Sequence, residues 1–134
     1  KKFGASDGVN YNNHDWPKII KKMSGGVDLI IDSGGGDGLN QLLDTLDVGG
    51  RYVFFGATMG DSSKGLNMAK IFFKQIRIQG STMGMESEFK NMLDFAEKNK
   101  IAPVIDKVFP FKNAVDAHLR MHKSEQLGKI VLEF

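Results

Sequence analysis

The sequence contains no cysteine, which excludes disulfides and any thiolate zinc site within these residues. Long apolar runs are missing too. The longest stop at about six residues, far short of the ~20 that a membrane-spanning helix needs. No signal peptide is visible, and the expected location is the cytoplasm. Charge of one sign is scarce: 18 Lys and Arg stand against 16 Asp and Glu, a net +2 with no basic tail or stripe. Neither nucleic acid nor a membrane surface is therefore expected as a partner. An initiator methionine is also missing. The opening Lys-Lys-Phe-Gly reads as the last turn of a helix closed by Gly4, and the expectation is of a chain that starts inside a longer one.

What is present describes a soluble globular protein of one domain, or parts of two: 134 residues, 41% hydrophobic and 25% charged. Glycine is the outlier at 16 residues, above the usual ~7%, and implies tight turns or close backbone approaches. A short strand is expected over 8–11. Asp15 offers an N-cap, Pro17 suits a first turn, and Trp16, Ile19, Ile20 and Met23 follow at helical spacing up to Gly25 and Gly26. Residues 27–32 form a continuous apolar run bounded by glycines, the pattern of a strand buried on both faces. Leu39, Leu42, Leu43 and Leu46 mark a second helix, and 51–57 a second buried strand. An apolar segment around Met68, Ile71, Phe72 and Phe73 leads to 74–80, where Ile76 and Ile78 alternate with Arg77 and Gln79 as in an edge strand. This alternation predicts a parallel α/β fold. Beyond Gly80 the rhythm changes to a helix capped near Ser87, a strand over 104–109, a helix over 112–123 and a strand over 129–134, with a sub-domain boundary within 81–84.

The sharpest local signal is the glycine-rich loop 33–38 between strand and helix, where the backbone can approach an anionic ligand. Its spacing is not GxGxxG, because Leu39 stands in the sixth place. Asp32, Gly34, Gly36 and Gly38 fit instead the D-x-G-x-G-x-G loop of S-adenosylmethionine-dependent methyltransferases. That reading needs a carboxylate closing the next strand, and the sequence there is Phe-Gly-Ala-Thr over 55–58. His118 and His122 have a metal-ligand spacing on a helix, but Leu119 replaces the Glu of a zinc protease, and a packed or solvated pair is the expected reading.

The segments VDLIIDSGGG, VGGRYVFFGAT, FFKQIRIQGSTMG, PVIDKVFPF, AVDAHLRM and LGKIVLEF occur in that order from Val27 to Phe134. Together with FGASDGVNY near the start, they resemble the C-terminal part of the medium-chain dehydrogenase/reductase family, the zinc-type alcohol dehydrogenases and quinone oxidoreductases. The resemblance implies the C-terminal half of a Rossmann-type parallel sheet (strands 3 to 6, the third over 8–11) in residues 1–82. Residues 83–134 would then be the segment that returns to the GroES-like catalytic domain. It also implies a parent enzyme that moves hydride between NADP or NAD and an alcohol, carbonyl, enone or quinone.

Site residues follow only from this resemblance. Ser33 and Gly34 match the segment touching the nicotinamide-side ribose, and Gly35 departs from the Val often found beside them. Gly56, Ala57 and Thr58 match the backbone that bonds the carboxamide. Ser81, Thr82 and Met83 match the second wall of that pocket, and Lys129 a cation that reaches the pyrophosphate. No catalytic residue and no metal ligand falls in this chain, so zinc would belong to the parent. The phosphate-binding turn is expected to lie outside the chain, which by itself should be inactive. A small-molecule substrate and a homodimer through the sheet edge at 75–79 complete the expectation. A methyltransferase fragment, or a nucleotide-binding protein without activity, are the alternatives.

Overall fold

A computed structural model describes residues 1, 3–61 and 65–134, which divide into two compact units, Lys1–Met83 and Gly84–Phe134. The first unit contains α1 (Trp16–Ser24), β1 (Val27–Asp32), α2 (Leu39–Thr45), β2 (Leu46–Phe54), α3 (Met68–Lys74) and β3 (Arg77–Gly80), with a 3-10 turn at Gly36–Gly38. The three strands form one parallel sheet in the order β1-β2-β3. This is the expected α/β class, with the sheet of a C-terminal Rossmann half.

The core of this unit is Leu43, Leu46, Tyr52 and Ile76, with Val27, Ile30, Leu39, Leu42, Ile71 and Ile78 packed around it. Leu39, Leu42 and Leu43 recur at helical spacing, which turns one face of α2 onto the sheet. The C-terminal end of α2 is closed by a side chain from α3. Lys74 Nζ donates to the carbonyls of Leu43, Asp44 and Leu46 at 3.0, 3.0 and 2.7 Å, a cation where the helix dipole is negative. Lys70 Nζ pairs with Asp44 at 2.6 Å beside it.

Several expectations are corrected. Residues 8–11 form no strand, so of strands 3 to 6 the described sheet contains the last three. Side-chain turns begin at its end and follow it: Asn10 Oδ1 accepts from Asn12 N–H, and Asn13 Oδ1 accepts from Asp15 N–H, local bonds that compete with a ladder. Asp15 stands at the N-cap position of α1 as expected, but its side chain makes no cap hydrogen bond and pairs with Lys18 at 2.6 Å. β1 is not buried on both faces, because Leu29 and Ile31 are 44% and 63% exposed while Ile30 packs on the core. β2 starts earlier than expected and stops at Phe54, because residue 55 onward turns to cross the loop after β1. On α4, Ser87 is not the cap. The helix starts at Glu86, and the Glu88 carboxylate accepts from Met85 N–H at 2.7 Å.

The second unit contains α4 (Glu86–Lys98), β4 (Ile105–Pro110), a 3-10 turn (Phe111–Asn113), α5 (Ala114–His122) and β5 (Lys129–Glu133). β4 and β5 pair in parallel, and Phe109 and Ala117 are its buried side chains. Arg120 grips Asp106 with two hydrogen bonds, Nε to Oδ2 at 2.7 Å and Nη2 to Oδ1 at 3.0 Å, and Leu127 N–H donates to Oδ1 at 3.1 Å. The guanidinium, with the Leu127 amide second, holds the Asp106 carboxyl down at about 2. Among the described residues no helix is long and apolar enough to cross a membrane.

Candidate functional site

Asp32 stands opposite Phe54, and Phe54 opposite Gly80, in parallel ladders. The C-terminal ends of β1, β2 and β3 therefore meet along one edge, where open parallel sheets present a ligand crevice. The chain leaves these ends in three loops, 33–36, 55–60 and 81–83.

The first two loops are interlocked. Phe55 N–H donates to the Asp32 carbonyl at 2.9 Å, carrying the ladder past the strand end. The Thr58 N–H and hydroxyl both reach the Ser33 carbonyl, at 3.4 and 3.3 Å. Met59 N–H donates to the Gly34 carbonyl at 2.8 Å, and Gly36 N–H donates to the Gly60 carbonyl at 2.9 Å. Ser81 N–H donates to the Phe54 carbonyl at 2.9 Å and brings the third loop alongside. Two glycines permit this closeness. Gly35 sits at φ +66, a conformation that other residues rarely adopt, and a Cβ there would stand 3.2 Å from the Gly60 carbonyl oxygen. A Cβ on Gly56 would stand 2.8 Å from the Ser33 carbonyl oxygen.

Beneath the loops lies a polar pair, the buried Tyr52 and the half-buried Asp32. Asp32 Oδ1 accepts from Gly34 N–H at 2.8 Å, and Oδ2 accepts from Gly35 N–H at 3.0 Å. The Tyr52 hydroxyl donates to Oδ2 at 2.6 Å. Burial pushes the Asp32 carboxyl up, but the bonds from Tyr52 and from the amides of Gly34, Gly35 and Ser33 outweigh it, and the net shift is below the ordinary value. Burial first, and the Asp32 carboxylate second, push the Tyr52 phenol up, so it keeps its proton and donates.

Of the expected site residues, the structure brings Ser33, Gly34, Gly56, Ala57, Thr58 and Ser81 together at these strand ends. Thr82 and Met83 continue the third loop, fully exposed in the case of Met83 at 97%, with φ +47. Lys129 is the exposed first residue of β5 in the second unit, where its N–H bonds the Val104 carbonyl at 2.7 Å. His118 and His122 are both exposed on α5, and no group of three metal-binding side chains exists among the described residues. A cavity of about 420 Å³ in the first unit is lined by His14, Lys18, Lys21, Gln41, Asp44 and Lys74 among others, none of them in the three loops.

Sequence reasoning missed Tyr52, and weighed Asp32 only as a methyltransferase signature. The available signal was a polar aromatic in an apolar strand, because a buried tyrosine hydroxyl needs a partner. Ile30 is opposite Tyr52 in the ladder, which puts Asp32 on the diagonal position that long side chains reach. No carboxylate closes β2 at Phe54 or over 55–58, and the methyltransferase ribose contact has no residue there.

Comparison with known proteins agrees with this geometry. A family model described as zinc-binding dehydrogenase matches residues 1–98. A zinc-type alcohol dehydrogenase-like protein of Schizosaccharomyces pombe is 31% identical over 139 residues, covering 99% of this chain and 40% of that protein. Quinone oxidoreductase-like protein 2 of Bos taurus is 29% identical, covering 96% of this chain and 40% of its own length. The crystal structure of an NAD-dependent alcohol dehydrogenase superposes with a TM-score of 0.87 at 31% identity, over 99% of this chain and 39% of that one. The chain thus spans about two fifths of the length of the relatives it matches.

Proposed function

This chain belongs to the zinc-binding dehydrogenase family, and from that membership we propose that it forms the nicotinamide-side part of an NAD(P)-dependent oxidoreductase. The observation that carries the reading is the interlock of loops 33–36 and 55–60 at the C-terminal ends of adjacent parallel strands. In this reading, residues 1–82 belong to the dinucleotide-binding domain and 83–134 to the catalytic domain of a protein of the relatives' full length.

The residues present suit a nicotinamide riboside. The exposed Ser33 hydroxyl and the Gly34 backbone offer polar contacts to a ribose. Ala57 and Thr58 are exposed and Gly56 is half-buried at the same edge, where backbone groups suit a carboxamide, which both donates and accepts. Ser81, Thr82 and Met83 would supply the second wall, while a role for Lys129 toward pyrophosphate rests on the family resemblance alone. A bound nicotinamide would supply the hydride chemistry toward an alcohol, carbonyl, enone or quinone. The chain's own contribution is to bind, to fix which ring face is open and to keep water out. No described residue set suits zinc, so no step is assigned to a metal here. The outer sheet edge at 75–79, which includes most of β3, is the surface proposed for a homodimer.

The test is an assay of the full-length polypeptide that carries this segment, beside the isolated 134-residue chain. NADH and NADPH are each offered with alcohols, enals and quinones. Turnover by the full-length protein with none by the isolated chain is expected. A full-length protein that binds neither dinucleotide overturns the reading.

A further inference from the structure

Three consecutive glycines, 34–36, make an intrinsically loose loop, since glycine loses more backbone freedom on ordering than any other residue. A ligand that had to order such a loop would bind weakly. Here the loop is already fixed. The two oxygens of one carboxylate, Asp32, take the amides of Gly34 and Gly35 at 2.8 and 3.0 Å. Asp32 is in turn held by the Tyr52 hydroxyl at 2.6 Å. Tyr52 is 2% exposed and belongs to the core with Leu43, Leu46 and Ile76. A rigid line therefore runs from the core through Tyr52 and Asp32 to the loop.

We infer that Asp32 and Tyr52 are positioning residues, which hold loop 33–36 in its dinucleotide-ready form by tying its glycine amides to the core. This rests on the proposed nicotinamide-side reading of the loop. Because the Gly34 and Gly35 amides are spent on Asp32, neither donates to the ligand. The loop offers instead the Ser33 side chain and a fixed backbone contour. Neither Asp32 nor Tyr52 touches the dinucleotide.

The experiment uses the full-length polypeptide, with Tyr52→Phe and Asp32→Asn made separately. Tyr52→Phe removes a hydroxyl and leaves the buried ring. Asp32→Asn keeps the shape but turns an amide donor toward a backbone N–H. Fluorescence titrations with NADH and NADPH report the nicotinamide end. Titrations with 5′-AMP and 2′,5′-ADP, which lack that end, report the adenosine end. Tyr52→Phe should weaken the better dinucleotide roughly three- to tenfold and Asp32→Asn more, since a lost partner leaves a buried donor unmet. The fluorescence enhancement of the bound nicotinamide should fall as well. Adenosine-end binding should stay at the wild-type value in both variants, which a general loss of structure would not allow. Unchanged dinucleotide affinity in both variants, or an equal loss for dinucleotide and adenosine probes, overturns the inference. Wild-type protein that binds neither dinucleotide overturns the cofactor reading first, and this inference with it.

Discussion

Gly56 lies so close to the carbonyl of Ser33 that a Cβ added to it would stand 2.8 Å from that oxygen. The contact joins the loop after β1 to the loop after β2, and the neighbour is backbone, which cannot swing aside. Gly56→Ala should push the two loops apart and destabilise the protein by about 1–3 kcal/mol, the usual cost of forcing extra atoms into a packed site. It should also weaken NADH or NADPH binding by the full-length protein. Denaturant unfolding and a fluorescence titration check the two effects. Equal stability and equal affinity would mean that the loops give way freely.

Asp106 supplies an acid-sensitive lock in the second unit. Its carboxyl is lowered to about 2 from an ordinary 3.8, chiefly by Arg120. A depressed folded-state value stabilises the fold fully above the ordinary value, and that stabilisation is lost as pH falls through the folded one. The melting temperature should therefore carry an Asp106 contribution that is flat above about pH 5 and disappears between about pH 4 and 2. Asp106→Asn should remove that part of the acid dependence and speed exchange of the Leu127 amide. A melting profile identical in wild type and variant across this window would contradict the assignment.

Lys74 closes α2 by donating to the carbonyls of Leu43, Asp44 and Leu46. Burial, followed by the repulsion of Lys21, lowers its pKa. Lys74→Met keeps most of the apolar stem and removes the donors. About 1.5–3 kcal/mol of unfolding free energy should be lost, the scale of a hydrogen bond to a charged group. Lys74→Arg should not restore it, because a planar fork does not converge on three carbonyls. Denaturant midpoints of the two variants decide this.

β1 hydrogen-bonds to β2 on one side, and among the described residues its other edge is unpaired. Leu29 and Ile31 on one face are exposed. Open edges and apolar faces invite pairing with another copy. The isolated 134-residue chain should therefore self-associate, which light scattering over a dilution series measures. A cooperatively unfolding monomer at every concentration would contradict this.

The alternation of strand and helix was legible because Val27, Ile30, Leu39, Leu42, Leu43, Ile76 and Ile78 carry distinct two- and 3.6-residue periods, and those periods are local. The segment 8–11 forms no strand, and Asn10 at its end takes the Asn12 amide, a local choice that composition leaves open. The run 27–32 looked buried on both faces because apolarity does not reveal which face has a neighbour. At the site, Ser33, Gly34, Gly56, Ala57, Thr58 and Ser81 came from a family resemblance, and they converge because each follows the end of an adjacent parallel strand. The bond between Asp32 and Tyr52 joins positions 20 residues apart. It depends on strand register, which the sequence does not display.

In the proposed function, loops 33–36, 55–60 and 81–83 receive the nicotinamide end of a dinucleotide. A crystal structure of the full-length protein grown with NADH or NADPH tests it most directly. The nicotinamide ribose is expected against Ser33 and Gly34, with the carboxamide bonded to the backbone of 56–58. A dinucleotide bound with its nicotinamide elsewhere, and these loops open to solvent, would contradict it.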